Sequence, residues 1–138
     1  MKRLIVLAIG LIAMNVFASC DRTITVNDLP KNAQQFISAY FPGIETLSVK
    51  FEDGEYEVVL SNGTEVEFSR KGEWKDVDCH TLSVPAGIIP TAIASYVLEK
   101  FPNNFIVKIA KERNQYEVEL NNDMDLVFDQ NGNFLHVD

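Results

Sequence analysis

Cysteine, histidine and tryptophan are nearly missing from this chain: its 138 residues include two Cys, two His and one Trp. One disulfide at most, Cys20–Cys79, is available to an oxidising compartment, and otherwise Cys79 is a lone buried thiol. His80 and His136 carry no ligand spacing around them, so no zinc site is expected. The segment "DMDLVFDQNGNF" has acids and a glycine, but its spacing does not fit the EF-hand loop. Neither a GxSxG elbow, a Walker loop nor a GxGxxG fingerprint occurs. Paired carboxylates on adjacent strands are too common to mark glycosidase chemistry. The chain is expected to be no enzyme, with no catalytic residue, no metal and no cofactor. Basic residues are scarce too: 12 Lys and Arg stand against 20 Asp and Glu, a formal charge of -8. Nucleic acid, whose phosphates need a basic footprint, is thereby excluded as a partner.

What is present begins with an export signal. Lys2 and Arg3 form a charged start, and "LIVLAIGLIAMNVF" follows as an apolar stretch of secretory length. Two exits fit. Val16-Phe17-Ala18 suits an ordinary leader cut, while "FASC" suits lipidation of Cys20, with Phe17 where Leu is usual. Either way the protein is exported, periplasmic or lipid-anchored to the envelope, and touches a membrane only through Cys20. Loss of Lys2 and Arg3 takes the charge from -8 to about -10.

The remainder repeats itself. "YEVVLSNGTEVEF" (Tyr56 to Phe68) returns as "YEVELNNDMDLVF" (Tyr116 to Phe128), and 29–78 lies over 89–138 at a constant offset of 60 without a gap. Each copy opens with helical spacing, Ala33, Phe36, Ile37 and Tyr40 in one, Ile93, Tyr96 and Val97 in the other. Asp28 and Thr91 are candidate caps beside Pro30 and Pro90. Four short strands follow, divided by "EDG", "SNG" and "RKG" and then by "ERN", "NND" and "QNG". Loops this short force antiparallel neighbours. The organisation is therefore a signal peptide (1–19), a tether (20–28), an α-β4 repeat (29–78), a linker (79–88) and a second α-β4 repeat (89–138), with 28–138 as one compact domain. The fold class is α+β: one curved antiparallel sheet of up to eight strands, two helices on one face and water on the other.

Strand parity sorts side chains between the two faces. Tyr56, Val58, Leu60, Val66, Phe68, Tyr116, Val118, Leu120, Leu126 and Phe128 are assigned to the helices, with Leu47, Val49, Phe51, Val107, Ile109, Val77, Leu135 and Val137. The open face then carries Glu55, Glu57, Glu65, Glu67, Trp74, Asp76, Glu117, Glu119, Asp125 and Phe134, with Lys50 and Lys108 opposite some of the acids. A wet sheet face needs polar residues in any case. A face that adds an exposed Trp to a field of carboxylates also suits recognition of a basic protein or peptide; the alternative for Trp74 is packing at the sheet edge, since Trp is highly buried on average.

The segments "LPKNAQQFISAYFPG", "YEVVLSNGTEVEFSRKGEWKDVDC", "IPTAIASYVLEKFP" and "YEVELNNDMDLVFDQNGNFLHVD" resemble the PepSY-like, β-lactamase-inhibitor-like family of secreted Bacteroides-type proteins over about residues 24–138. The resemblance implies tandem α-β4 units in one curved sheet and a periplasmic or surface location. It also implies an alternative to simple binding, inhibition of an exported hydrolase of protease or β-lactamase type, although these repeats are shorter than those of the inhibitor proteins and lack their internal cysteine pairs. A third expectation, from the carboxylates themselves, is a cation-binding envelope protein.

Overall fold

The computed structural model describes residues 22–138. The expected signal peptide, its cleavage point and the lipidation site Cys20 lie outside the described residues. Strands β1 (Arg22–Ile24), β2 (Thr46–Glu52), β3 (Glu55–Leu60), β4 (Glu65–Ser69), β5 (Trp74–Asp78), β6 (Ile106–Glu112), β7 (Gln115–Leu120), β8 (Asp125–Asp129) and β9 (Phe134–Val137) form one sheet. Their order in the sheet is their order in the chain, and every pair is antiparallel. Helices α1 (Lys31–Tyr40) and α2 (Thr91–Lys100) precede β2 and β6. The α+β fold, with one open antiparallel sheet and two helices, is as the sequence implies.

The sheet has one strand more than expected. Within the stretch read as a tether, β1 pairs with Val49, Lys50 and Phe51 of β2. It has no counterpart in the second repeat, so the repeat pattern gave no signal for it. Its effect is to cover part of an edge that β2 would otherwise leave unpaired.

The helix starts also differ from expectation. Pro30 and Pro90 themselves occupy the N-cap positions, in extended conformation, and no side chain caps either helix. Asp28 belongs instead to the short 3-10 turn before α1, where its Oδ2 accepts from the Thr25 backbone N–H at 2.8 Å and from the Thr25 hydroxyl at 3.0 Å. Thr91 is the first residue inside α2.

One core lies between the helices and the sheet. Ala33 and Ile37 from α1 and Ile93 and Val97 from α2 pack on Val58, Leu60, Val66, Phe68, Val77, Ile109, Val118, Leu120, Leu126 and Phe128. Burying each of the larger of these side chains contributes roughly 1.5–3 kcal/mol. The two halves carry the same aromatic arrangement. In the first, Phe36 meets the Phe68 ring edge-on at 5.5 Å and Trp74 at 6.2 Å. In the second, Tyr96 meets Phe128 edge-on at 5.4 Å and stacks on Phe134 at 4.7 Å.

Four bulges break the strand alternation, at matching places in the two repeats. They fall between Thr46 and Ser48, Ile106 and Lys108, Glu67 and Phe68, and Val127 and Phe128. One extra residue changes which face the following side chains take. Leu47 and Leu135, both assigned to the core by simple alternation, stand at bulges and are exposed. Val107, the counterpart of Leu47, is buried because the linker returns over it: the Cys79 and Val84 N–H groups donate to the Val107 and Ile106 carbonyls. Val137 points to the helix side opposite Leu126 but sits on the last strand and is half exposed.

The β4–β5 turn closes tightly against the start of α1. Asn32 Nδ2 donates to the Lys71 carbonyl at 3.0 Å. Gly72 has φ of +84° there, and a Cβ on it would lie 2.7 Å from Pro30 Cβ as well as colliding with the Asn32 amide. Gly63 has φ of +91° but open space around it. Gly63→Ala is therefore expected to cost roughly 1–2 kcal/mol, the left-handed backbone term alone. Gly72→Ala should cost clearly more, since contact with α1 adds to the same term. Urea denaturation of the two variants side by side checks the difference.

Candidate functional site

The open face is built by register. Residues directly opposite one another on neighbouring strands share a face, so the pairings Lys50–Glu57, Glu57–Glu67, Glu67–Asp76, Asp76–Ala110, Ala110–Glu117, Glu117–Val127 and Val127–His136 form one row across eight strands. A second row runs Val59–Glu65–Asp78–Lys108–Glu119–Asp125. Glu55 lies beside the first row, ion-paired with Lys75. Eight of the carboxylates assigned to this face, Glu55, Glu57, Glu65, Glu67, Asp76, Glu117, Glu119 and Asp125, are where alternation puts them. Asp78 and the C-terminal Asp138 join them, the latter close enough to Glu117 to share a hydrogen bond.

Trp74 and Phe134 are not on this face. The bulge at Glu67/Phe68 pairs Phe68 with Trp74, and the bulge at Val127/Phe128 pairs Phe128 with Phe134. Both rings therefore turn to the helices, where they join the aromatic clusters described above. Alternation counted back from Val77 places Trp74 outside, and the extra residue, Lys75, reverses it. No signal in the sequence marks that bulge apart from the apolar character of Trp74 and Phe134 themselves.

Electrostatically the face is unbalanced. The central carboxylates are held above the ordinary range. Partial burial raises Glu67 first, and the neighbouring Asp76 and Glu57 charges raise it further. Burial raises Asp76, with Asp78 and Glu65 adding to it and Lys108 opposing. Burial, a hydrogen bond with Asp138 and the Asp125 charge raise Glu117. Lys108 sits between the two halves with its Nζ 3.8 Å from Asp76 Oδ2, and the surrounding acids raise its own pKa against the effect of burial. At the rim His80 Nε2 lies 2.9 Å from Glu65 Oε2. Such part-exposed pairs contribute at most about 1 kcal/mol each. Among the described residues, no three His, Cys, Asp or Glu side chains converge as ligands for a metal ion.

This arrangement of strands, helices and faces is shared. The profile of the family described as "Putative beta-lactamase-inhibitor-like, PepSY-like" matches residues 19–62 and 54–136. The chain belongs to this family. It is similar to a solved "putative calcium-regulated periplasmic protein" of Bacteroides thetaiotaomicron, 40% identical, covering 88% of this chain and 98% of that one, with a TM-score of 0.84. A periplasmic protein of Bacteroides vulgatus is 36% identical over 88% of this chain and 98% of that one, with a TM-score of 0.82. A second from the same species, of unknown function, has the same identity and TM-score over 86% and 98%. No curated protein matches the chain.

Raised carboxylate pKa values have a defined consequence for stability. These groups hold a proton more tightly in the folded chain than in the unfolded one, so their ionisation opposes folding. The penalty is absent below the unfolded carboxylate range, near pH 4, and is complete once pH has risen past the folded values. Glu67→Gln removes one such charge from between two others. It is expected to stabilise the protein by roughly 0.2–1 kcal/mol at pH 7, the range for like charges directly opposite in a sheet. The advantage should shrink towards zero near pH 4. Urea melts of both proteins at the two pH values check the sign and the closure.

Proposed function

We propose that the protein is an exported, non-enzymatic binding module whose acidic open sheet face receives a basic protein or peptide. The observation that carries this reading is the run Glu57–Glu67–Asp76, three acids directly opposite one another on three successive strands. Like charges so placed destabilise a sheet, and a wet face is satisfied equally well by neutral polar side chains. A Lys or Arg side chain of a partner laid across the row relieves the repulsion that the free protein carries. The binding free energy then includes the removal of an existing penalty as well as a new attraction. The exposed carboxylates around the row extend the complementary potential and favour fast, salt-sensitive encounter. Without Trp74 the face has no aromatic anchor. It offers instead the half-buried apolar side chains Val59 and Ala110 among the charges, with Val127 covered by its neighbours. Relatives described as periplasmic, together with the leader-like start, support action in the envelope, with Cys20 as the potential anchor.

Two narrower readings draw on the relatives. The calcium-regulated description of the Bacteroides thetaiotaomicron protein favours a cation as the natural ligand of the same carboxylates. The family's description favours a partner that is an exported hydrolase, inhibited by the docked face.

Capture of partners from envelope extract, with Glu57→Lys/Glu117→Lys beside the unaltered chain, tests the main reading. The unaltered protein is expected to retain a basic partner that elutes with moderate salt and is lost in the double variant. Equal capture by both proteins would contradict the reading. A melting temperature raised by millimolar calcium, and abolished by the same two substitutions, is the result expected of the cation reading.

A further inference from the structure

We propose that the helix side carries a second, oppositely charged site: a cleft at the junction of the repeats that binds a peptide segment presenting a carboxylate beside an apolar side chain. The cleft has a volume of about 560 Å³, within the range of ligand sites, and it is open-sided, which suits a segment of chain more than an enclosed small molecule. Its apolar floor is Phe36 and Trp74, and its wall is the turn of the β6–β7 hairpin with Lys111 and Arg113. Lys75 and Glu73 complete the rim. In a chain of net charge -8, this groove gathers Lys111, Arg113 and Lys75, the last already ion-paired with Glu55, around two aromatic rings and the Glu73 carboxylate.

Three features set the junction apart from the rest of the fold. Lys111 breaks the repeat. Its counterpart sixty residues earlier is Phe51, whose ring packs on Tyr56 at 4.7 Å as the pattern requires. Lys111 takes the same helix-side position opposite Tyr116 and lays its ammonium 4.0 Å over the Trp74 ring. Among the described residues it has no ion-pair partner within 4 Å, and burial lowers its pKa against the opposing charge of the nearby Glu73. A half-buried lysine held over an indole is a cation prepared for an anion, since the ring orients it without neutralising it. Arg113, the next residue on this face of the turn, holds φ of +55°. A long side chain is rarely kept in that conformation, and the first repeat uses Asp53 at the same place, with φ of +54°. The sequence thus accepts a strained backbone to place a second cation at the mouth of the cleft. The third feature is topological. Among the described residues, the β5–β6 junction is where one repeat's aromatic cluster meets a strand of the other repeat. The equivalent position in the second half is occupied by Phe134 stacked on Tyr96.

The expected binding mode follows from these positions. The ligand's carboxylate sits between the Lys111 ammonium and the Arg113 guanidinium, and its neighbouring apolar side chain rests on Phe36 and the Trp74 edge. Two charge-assisted contacts set the specificity.

Trp74 is the only tryptophan in the chain, so selective excitation of its indole reports on the floor of this cleft. The test titrates the exported chain with acetyl-Gly-Phe-Glu-Gly-amide and with acetyl-Gly-Phe-Gln-Gly-amide. A saturable change in emission is expected with the Glu peptide at millimolar or lower concentration. Binding should weaken by roughly ten- to hundredfold on changing Glu to Gln in the peptide, in Lys111→Met and in Arg113→Asn, as the loss of one charged hydrogen bond implies. Asn suits the left-handed position, so the last variant keeps the hairpin folded. Glu67→Gln on the opposite face should leave the titration unchanged, which separates this site from the acidic one. Absence of a saturable change, equal affinity for the two peptides, or undiminished binding by the Lys111 and Arg113 variants would overturn the proposal.

Discussion

Each half of the molecule depends on one aromatic cluster that ties a helix to the bulged hairpin beneath it. Phe36, Phe68 and Trp74 make it in the first repeat, and Tyr96, Phe128 and Phe134 in the second. Phe68 and Phe128 are fully buried and are the largest such side chains in the core. The bulge before each of them is what allows the third ring to turn inward. Without it the strand would carry that ring to the water side, and the helix would lose one of its two aromatic contacts with the sheet. That extra residue turns Trp74 and Phe134 to the helices and keeps both rings off the open face.

The consequence is a molecule with two unlike surfaces. Aromatic side chains are drawn to the helix side, so the open face is left to carboxylates, a few lysines and small apolar residues. Its acids crowd one another because strand register places them face to face, and Lys108, paired with Asp76, sits between the halves at the centre. The junction on the other side has the reverse composition, with lysine and arginine around aromatic rings. A protein of this size can hold both because a single sheet separates them, and charges on opposite faces are partly screened at physiological salt.

Much of the architecture was legible in the sequence. The repeat offset, the hairpin loops and the alternation of Val58, Leu60, Val66 and Phe68 against Glu57, Glu65 and Glu67 determine the meander, the helix side and most of the acidic face. Three things were not legible, each for a physical reason. The strand β1 has only three residues and no copy elsewhere, so neither length nor repetition announced it. The bulges leave no signature in residue type, and Trp74, Phe134, Leu47 and Leu135 were therefore assigned to the wrong face or to the core by simple counting. The helix caps were assigned to Asp28 and Thr91 from residue preference, whereas Pro30 and Pro90 fill those positions and the side chains bond elsewhere or lie inside the helix. The cleft at Lys111 was out of reach for the same reason as Trp74, since it exists only once the tryptophan is turned inward.

A basic partner is expected to meet the open face and not the helix side, whose cleft selects acidic ligands. Methyl-resolved NMR of the protein during titration with a lysine-rich peptide tests this directly, because neighbouring residues on one strand report opposite faces. The methyl groups of Val59 and Ala110 should shift with the peptide, while those of Val58 and Ile109, one residue away and on the core side, should stay in place. Shifts centred on the core-side methyls or on the Trp74 indole, with Val59 and Ala110 unmoved, would contradict docking of a basic partner on the open face.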